Sequence, residues 1–176
     1  MNNNIYDIWF TRIEIGNNTK LKLINEYTTS QLWNMKKKEF IAQNIEEKII
    51  EKILDLKYRK NLEKYYDYTI KNNIKLIGFK DERYPTNLSN IDDLPVFIYV
   101  RGNVDVLYEN SVAIVGSRNA TEYGKNVSRK MAKELADKNI NIISGLAIGI
   151  DKYAHLGCLD SNIGKTVAVI RNRGIR

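Results

Sequence analysis

The chain is 176 residues long, with 28 Lys+Arg against 21 Asp+Glu, one His, one Cys and two Pro. Hydrophobic residues at 43% supply a core and exclude wholesale disorder, and a single Cys excludes an internal disulfide or a multi-Cys zinc site. The formal charge of +7 permits an anionic partner without requiring one. No run of about 18 apolar residues marks a membrane span, and the Asn-rich start lacks the basic and apolar stretches of a secretory signal, so the expected location is cytoplasmic.

Residues 1–73 read as a small all-helical domain. Ile5, Ile8, Trp9 and Ile13 recur at helical spacing until Gly16-Asn17-Asn18 breaks the pattern. Leu21, Leu23, Ile24 and Tyr27 predict a second helix, and Thr28-Thr29-Ser30 offers caps before Leu32 and Trp33. Lys36-Lys37-Lys38 is a basic run, read as a solvated helix face or loop. Asn44-Ile45-Glu46-Glu47 resembles a capping box with Asn44 as the cap. Behind it, Ile45, Ile49, Ile53 and Leu56 predict a longer helix, extending to Tyr68.

Residues 74–176 change period. Lys75–Ile77, Val96–Val100, Val112–Val115, Ile140–Ile143 and Thr166–Ile170 are short β-rich runs. Helical patterns separate the last three, over about 123–138 and 150–159. Strand-helix-strand-helix-strand is the pattern of parallel βαβ units, and the apolar strands suit a sheet covered on both faces. The predicted fold class is α/β, a Rossmann-like parallel sheet preceded by the helical domain. Residues 1–80 carry 15 Lys+Arg against 10 Asp+Glu and residues 81–176 carry 13 against 11, so the basic surplus lies mainly on the helical half.

Ligands of an open parallel sheet sit at the carboxyl ends of its strands. There the sequence places Gly116-Ser117-Arg118 and Ser144-Gly145-Leu146-Ala147-Ile148-Gly149. Glycine lets backbone N–H groups approach an anion, the next helix adds partial positive charge, and Arg118 adds a planar fork for phosphate. The two loops together make a candidate phosphate cradle, although glycines after strands also serve as plain turns. The dinucleotide fingerprint is absent, and Gly164-Lys165-Thr166 enters a strand and lacks the earlier glycine of a P-loop. Asp151 and His155 share a helical face, but a metal or acid–base site has no third ligand. The simpler reading has Asp151 capping its helix and orienting the glycine loop, His155 packing on the sheet and Cys158 buried. Tyr84-Pro85 and Leu94-Pro95 read as structural. No nucleophile, base and orienter come together, so no catalytic residue and no cofactor are expected.

The ordered series Tyr84-Pro85-x-x-Leu88, Pro95–Gly102, Val112–Arg118 with Tyr123-Gly124, Ser144–Asp151 with His155, and Gly164–Val169 closely resembles the DNA-processing protein A family, DprA or Smf. The resemblance covers roughly residues 75–170, and the helical half looks like the family's sterile-alpha-motif-like domain. It implies a protein that binds and protects single-stranded DNA without cleaving it during natural transformation and recombination, and helps load the RecA recombinase. It points to Gly116, Ser117, Arg118, Gly145, Leu146, Ala147 and Gly149 as the DNA-phosphate pocket. The family forms homodimers. It also continues beyond the last strand with more βα units, whereas this sequence reads Ile170-Arg171-Asn172-Arg173-Gly174-Ile175-Arg176 with Arg171 where a loop glycine is usual. The expectation is a C-terminally truncated member that lacks the dimer and RecA surfaces. The alternatives are a nucleoside monophosphate phosphoribohydrolase on a related scaffold, with Asp151 as its only candidate carboxylate, and an inactive remnant.

Overall fold

The computed structural model describes residues 3–170. Helices precede a small parallel sheet, as the sequence predicts. The chain divides into two compact units, the first running to Val104 and the second beginning at Asp105.

The first unit opens with α1 (Ile5–Arg12), whose cap Asn4 accepts the Tyr6 N–H through its side chain. Then come α2 (Asn17–Glu26), α3 (Thr29–Asn34), α4 (Lys37–Ala42), α5 (Glu47–Leu54) and α6 (Leu62–Lys71). Thr28 and Gln31 close a reciprocal capping box at α3. Ile8, Trp9 and Phe10 of α1, Leu32 of α3, Phe40 of α4, and Ile50 and Ile53 of α5 are fully buried in one cluster. Lys36, Lys37 and Lys38 are exposed at the start of α4, as read from the sequence.

Two helix boundaries differ from the sequence reading. Asn44 does not cap α5, whose N-cap is Glu46. Instead Asn44 ends α4 with φ +54°: its N–H bonds to the Ile41 carbonyl, and the Ile45 N–H bonds to the Phe40 carbonyl. That is a Schellman close with Asn where Gly is usual. Asn73 after α6 and Asn139 in the second unit are left-handed too, so part of the Asn richness serves to stop helices. The helix predicted to reach Tyr68 breaks at Asp55. The Asp55 side chain accepts the Lys57 N–H, a short 3₁₀ turn covers Leu56–Tyr58, and Asn61 at φ +56° precedes α6.

β1 (Ile74–Gly78) and β2 (Phe97–Arg101) form an antiparallel pair with Ile74 opposite Arg101 and Gly78 opposite Phe97. The expected boundary at residue 73 therefore differs from the observed division. Leu76, Phe79, Val96 and Phe97 pack into the helical core, and Asn3 brackets β1 by donating to the Ile74 carbonyl and accepting from Leu76 N–H. Tyr84 donates its hydroxyl to the Pro95 carbonyl at 2.6 Å, tying the two proline segments together.

The second unit contains β3 (Ser111–Ala113), α7 (Glu122–Ala136), β4 (Asn141–Ser144), α8 (Ile150–Leu159) and β5 (Thr166–Ala168). The strands are parallel in the order β3-β4-β5, with Val112 beside Ile142 and Ile143 beside Val167. The two crossovers step in one direction, and α7 and α8 pack against each other and against β4, as right-handed connections would place them on one face. The helices touch closely because Gly157 has no side chain: a Cβ there would lie 2.1 Å from the Arg129 carbonyl oxygen. The expected cover on both faces is not present among the described residues, where Ala113, Val115 and Val169 are exposed. Asn141, fully buried, fastens the base of the sheet by accepting from Lys165 N–H and donating to Glu109, which also pairs with the Lys165 ammonium.

Candidate nucleic-acid interface

The carboxyl ends of β3 and β4 lead into two loops that share one anchor. Asp151, in the first turn of α8, is buried, and its Oδ1 accepts the Gly116 N–H while its Oδ2 accepts the Gly145 N–H, both at 3.2 Å. One carboxylate thus fixes the first glycine after β3 and the first residue after β4. This is the orienting role read for Asp151 from the sequence, but Asp151 does not cap α8: the N-cap is Gly149, and both Asp151 oxygens turn outward to the two loops.

Each loop is shaped by close approach. The Ile150 side chain fills the space beside Gly116, where a Cβ would lie 2.8 Å from Ile150 Cγ1. Gly149 sits at φ +88°, and a Cβ on it would lie 2.2 Å from the Ser117 carbonyl oxygen. The Ser117 carbonyl also receives the Ile150 N–H at 3.2 Å. Leu146 holds φ +57°, a left-handed conformation that costs a branched residue of order 1 kcal/mol or more. Strain of this kind persists where the surroundings fix it, and here the Asp151 bond to Gly145 and the Lys152 N–H bond to the Ala147 carbonyl do so.

The structure brings together all seven residues named from the sequence. Gly116, Ser117, Arg118, Gly145 and Leu146 are exposed, Ala147 is half-buried and Gly149 is buried against the first loop. Ser117 Oγ accepts the Asn119 N–H, turning the loop so that Arg118 faces solvent. Leu146 at 57% and Ile148 at 68% exposure add apolar surface beside the glycines. Past the loop, Thr121 caps α7 by accepting from Gly124 N–H.

His155 is buried on α8, and its Nδ1 lies 2.6 Å from Thr166 Oγ1 on β5. The Thr166 hydroxyl is already donated to the Ile142 carbonyl, so Nδ1 carries the proton and Nε2 is left buried without a partner among the described residues. Burial pushes the imidazole below its ordinary value, against a smaller upward pull from Asp151. His155 therefore packs against the sheet as read. Cys158 is buried, and burial pushes its thiol up.

The sequence reading did not single out Ile150 as the wedge beneath Gly116, or Ser128, whose hydroxyl donates to the Ile150 carbonyl from α7. The signal for Ile150 was a β-branched residue directly after a loop glycine. Ser128 had none beyond a polar residue on the inner face of a helix. Arg171, named as a departure from the family pattern, lies outside the described residues.

The family model for DNA recombination-mediator protein A matches residues 75–175, which contain both loops and the whole βαβαβ unit. The chain belongs to this family. DNA processing protein DprA of Streptococcus pneumoniae is 44% identical over 90 residues, covering 51% of this chain and 31% of that protein. Protein Smf of Borreliella burgdorferi is 33% identical over 152 residues, covering 86% of this chain and 47% of that protein. The crystal structure of the Streptococcus pneumoniae DprA superposes with a TM-score of 0.62 at 28% identity, over 97% of this chain and 58% of that one. The chain spans less than half the length of these curated relatives. The DprA match reaches the helical region as well as the sheet, so the likeness of fold is wider than the stretch the family model covers.

Proposed function

We propose that this chain is a non-catalytic single-stranded DNA-binding protein that grips phosphates at the two loops and acts in DNA uptake and recombination. The observation that supports it best is the exposed Arg118 in the first of two glycine loops at the carboxyl ends of adjacent parallel strands, both loops pinned by Asp151. Backbone N–H groups and one guanidinium recognise phosphate without reading a base, so binding is sequence-tolerant and weakens with salt. Leu146 and Ile148 offer apolar contact to sugars and bases beside the phosphate track.

The reading as a phosphoribohydrolase needs a carboxylate free to assist glycosidic cleavage. Both oxygens of Asp151 are spent on glycine N–H groups, which speaks against it. Loading of RecA and pairing with a second copy rest on the family resemblance alone.

Binding of a labelled oligothymidylate, followed by fluorescence anisotropy across a salt series, tests the reading. Arg118→Ala should weaken binding to any single strand and lower the salt slope by about one unit. Equal affinity and slope in the wild type and the variant, with both folded, would remove Arg118 from the interface. Released base on incubation with nucleoside monophosphates would favour the hydrolase instead.

A further inference from the structure

The helical unit holds an open cleft of about 590 Å³, bordered by Tyr6 of α1, Trp33 of α3, and Arg59, Asn61, Leu62 and Lys64 around the start of α6. Its wall is aromatic. Tyr6 and Trp33 lie 5.6 Å apart at 58°, and Trp33 meets the buried Trp9 edge-on at 5.1 Å. The Arg59 guanidinium sits 4.0 Å over the Trp33 ring and donates through Nη2 to the Trp33 carbonyl at 2.8 Å. That bond uses one of five donors, and Arg59 Nε is buried with no hydrogen-bond partner among the described residues. Burial pushes the guanidinium below its ordinary value, so the cation is partly stripped of water and has more to gain from an anion. Lys64 is exposed on the rim, where one carboxylate, Glu63, stands against two cations.

A planar guanidinium beside aromatic rings, with a second cation within the same cleft, matches one chemistry in both its parts. Rings stack on a flat heteroaromatic group, and the cations take a single phosphate. We infer that this cleft binds a nucleoside phosphate unit, with the base against Tyr6 and Trp33 and the phosphate at Arg59 and Lys64. The unit comes either from a free nucleotide or from a residue of a single strand. The site is separate from the glycine loops and stands whether or not those loops bind DNA.

The chain has two tryptophans, Trp9 and Trp33, and both flank Arg59. Intrinsic tryptophan fluorescence therefore reports on this cleft. Thymidine monophosphate added to the full chain should quench it saturably, with thymidine or inorganic phosphate alone binding more weakly. Lys64→Glu reverses an exposed charge and should weaken the quench-detected affinity roughly three- to tenfold. Arg59→Lys keeps the charge, loses the planar fork and should weaken it as well. Arg118→Ala should leave the quench unchanged. A strand that quenches better than the mononucleotide at equal nucleotide concentration identifies the strand as the source, and the reverse identifies the free nucleotide. No saturable change up to about 10 mM, where one stacked base and one charged contact already register, overturns the inference. So does a quench that survives both cleft variants, or one that Arg118→Ala abolishes. If Lys64→Glu does not fold, Lys64→Gln is read in its place.

Discussion

Asp151 accepts the backbone N–H of Gly145 six residues upstream, and with its other oxygen holds Gly116 thirty-five residues upstream. A single carboxylate therefore couples two loops on neighbouring strands. Asp151→Asn keeps the size but puts an amide donor against one of the two N–H groups. A buried donor left without an acceptor costs about 1–3 kcal/mol. The expected outcome is a lower thermal midpoint together with a large loss of single-strand affinity. Unchanged binding and stability would show that the loops hold their shape without Asp151.

Gly149 is the position where the second loop passes under the first. Its φ of +88° and the 2.2 Å approach to the Ser117 carbonyl leave no room for a methyl group. Gly149→Ala must strain the backbone and push Ser117 and Arg118 outward, at a cost of roughly 2–4 kcal/mol. Circular dichroism melts should show the destabilisation. Where the variant remains folded, affinity for a single strand should fall more than for Gly16→Ala, which places its Cβ in open space.

The glycine loops were legible in the sequence because strand, glycine and helix follow each other with fixed geometry, and Arg118 lies between them. The parallel βαβαβ order was legible for the same reason, as apolar runs alternated with helical spacing. Two features were not. The hairpin of β1 and β2 looked like the start of the sheet domain, because strands and helices differ locally in period. Which core receives Val96 and Phe97 is a long-range matter, and they pack with Phe10 and the helices. Asn44 was read as an N-cap from a pattern that fits a capping box, yet the same residue type also favours the left-handed turn that ends a helix. The local sequence satisfies both roles, and the burial of Phe40 and Ile50 on either side selects the second.

His155 is the only histidine of the chain, and its buried ring is held by Thr166. Its folded value lies below the ordinary one because burial opposes the charged form. The unfolded chain therefore binds the proton first as pH falls below about 6.5. Stability of the second unit is in full effect above that pH and declines as pH drops toward the folded value. A series of thermal melts from neutral to mildly acidic pH should show the decline, and His155→Gln should flatten it. A wild-type midpoint independent of pH in that range would mean that the ring gains a compensating partner when charged.

Lys20 makes the opposite end of the pH scale informative for the first unit. It is 8% exposed and donates to the Thr11 carbonyl at 2.9 Å, in the last turn of α1. Burial lowers its ammonium to about 8. Between that value and its ordinary 10.5, the unfolded chain holds a proton that the folded chain has released, so stability rises with pH across the window. The window ends near pH 9.5, because tyrosines begin to ionise in the unfolded chain at about 10. It is read in a Cys158→Ala background, because the buried Cys158 thiol is pushed up on folding and would lower stability as pH rises through the same range. Denaturant midpoints should rise from pH 8 to 9.5 by an amount on the order of 1 kcal/mol. Lys20→Met fills the same space without a charge and should abolish the slope. A slope that persists in Lys20→Met would assign it to another group, and a flat wild-type profile would show that the Thr11 carbonyl and the last turn of α1 compensate fully for the buried charge.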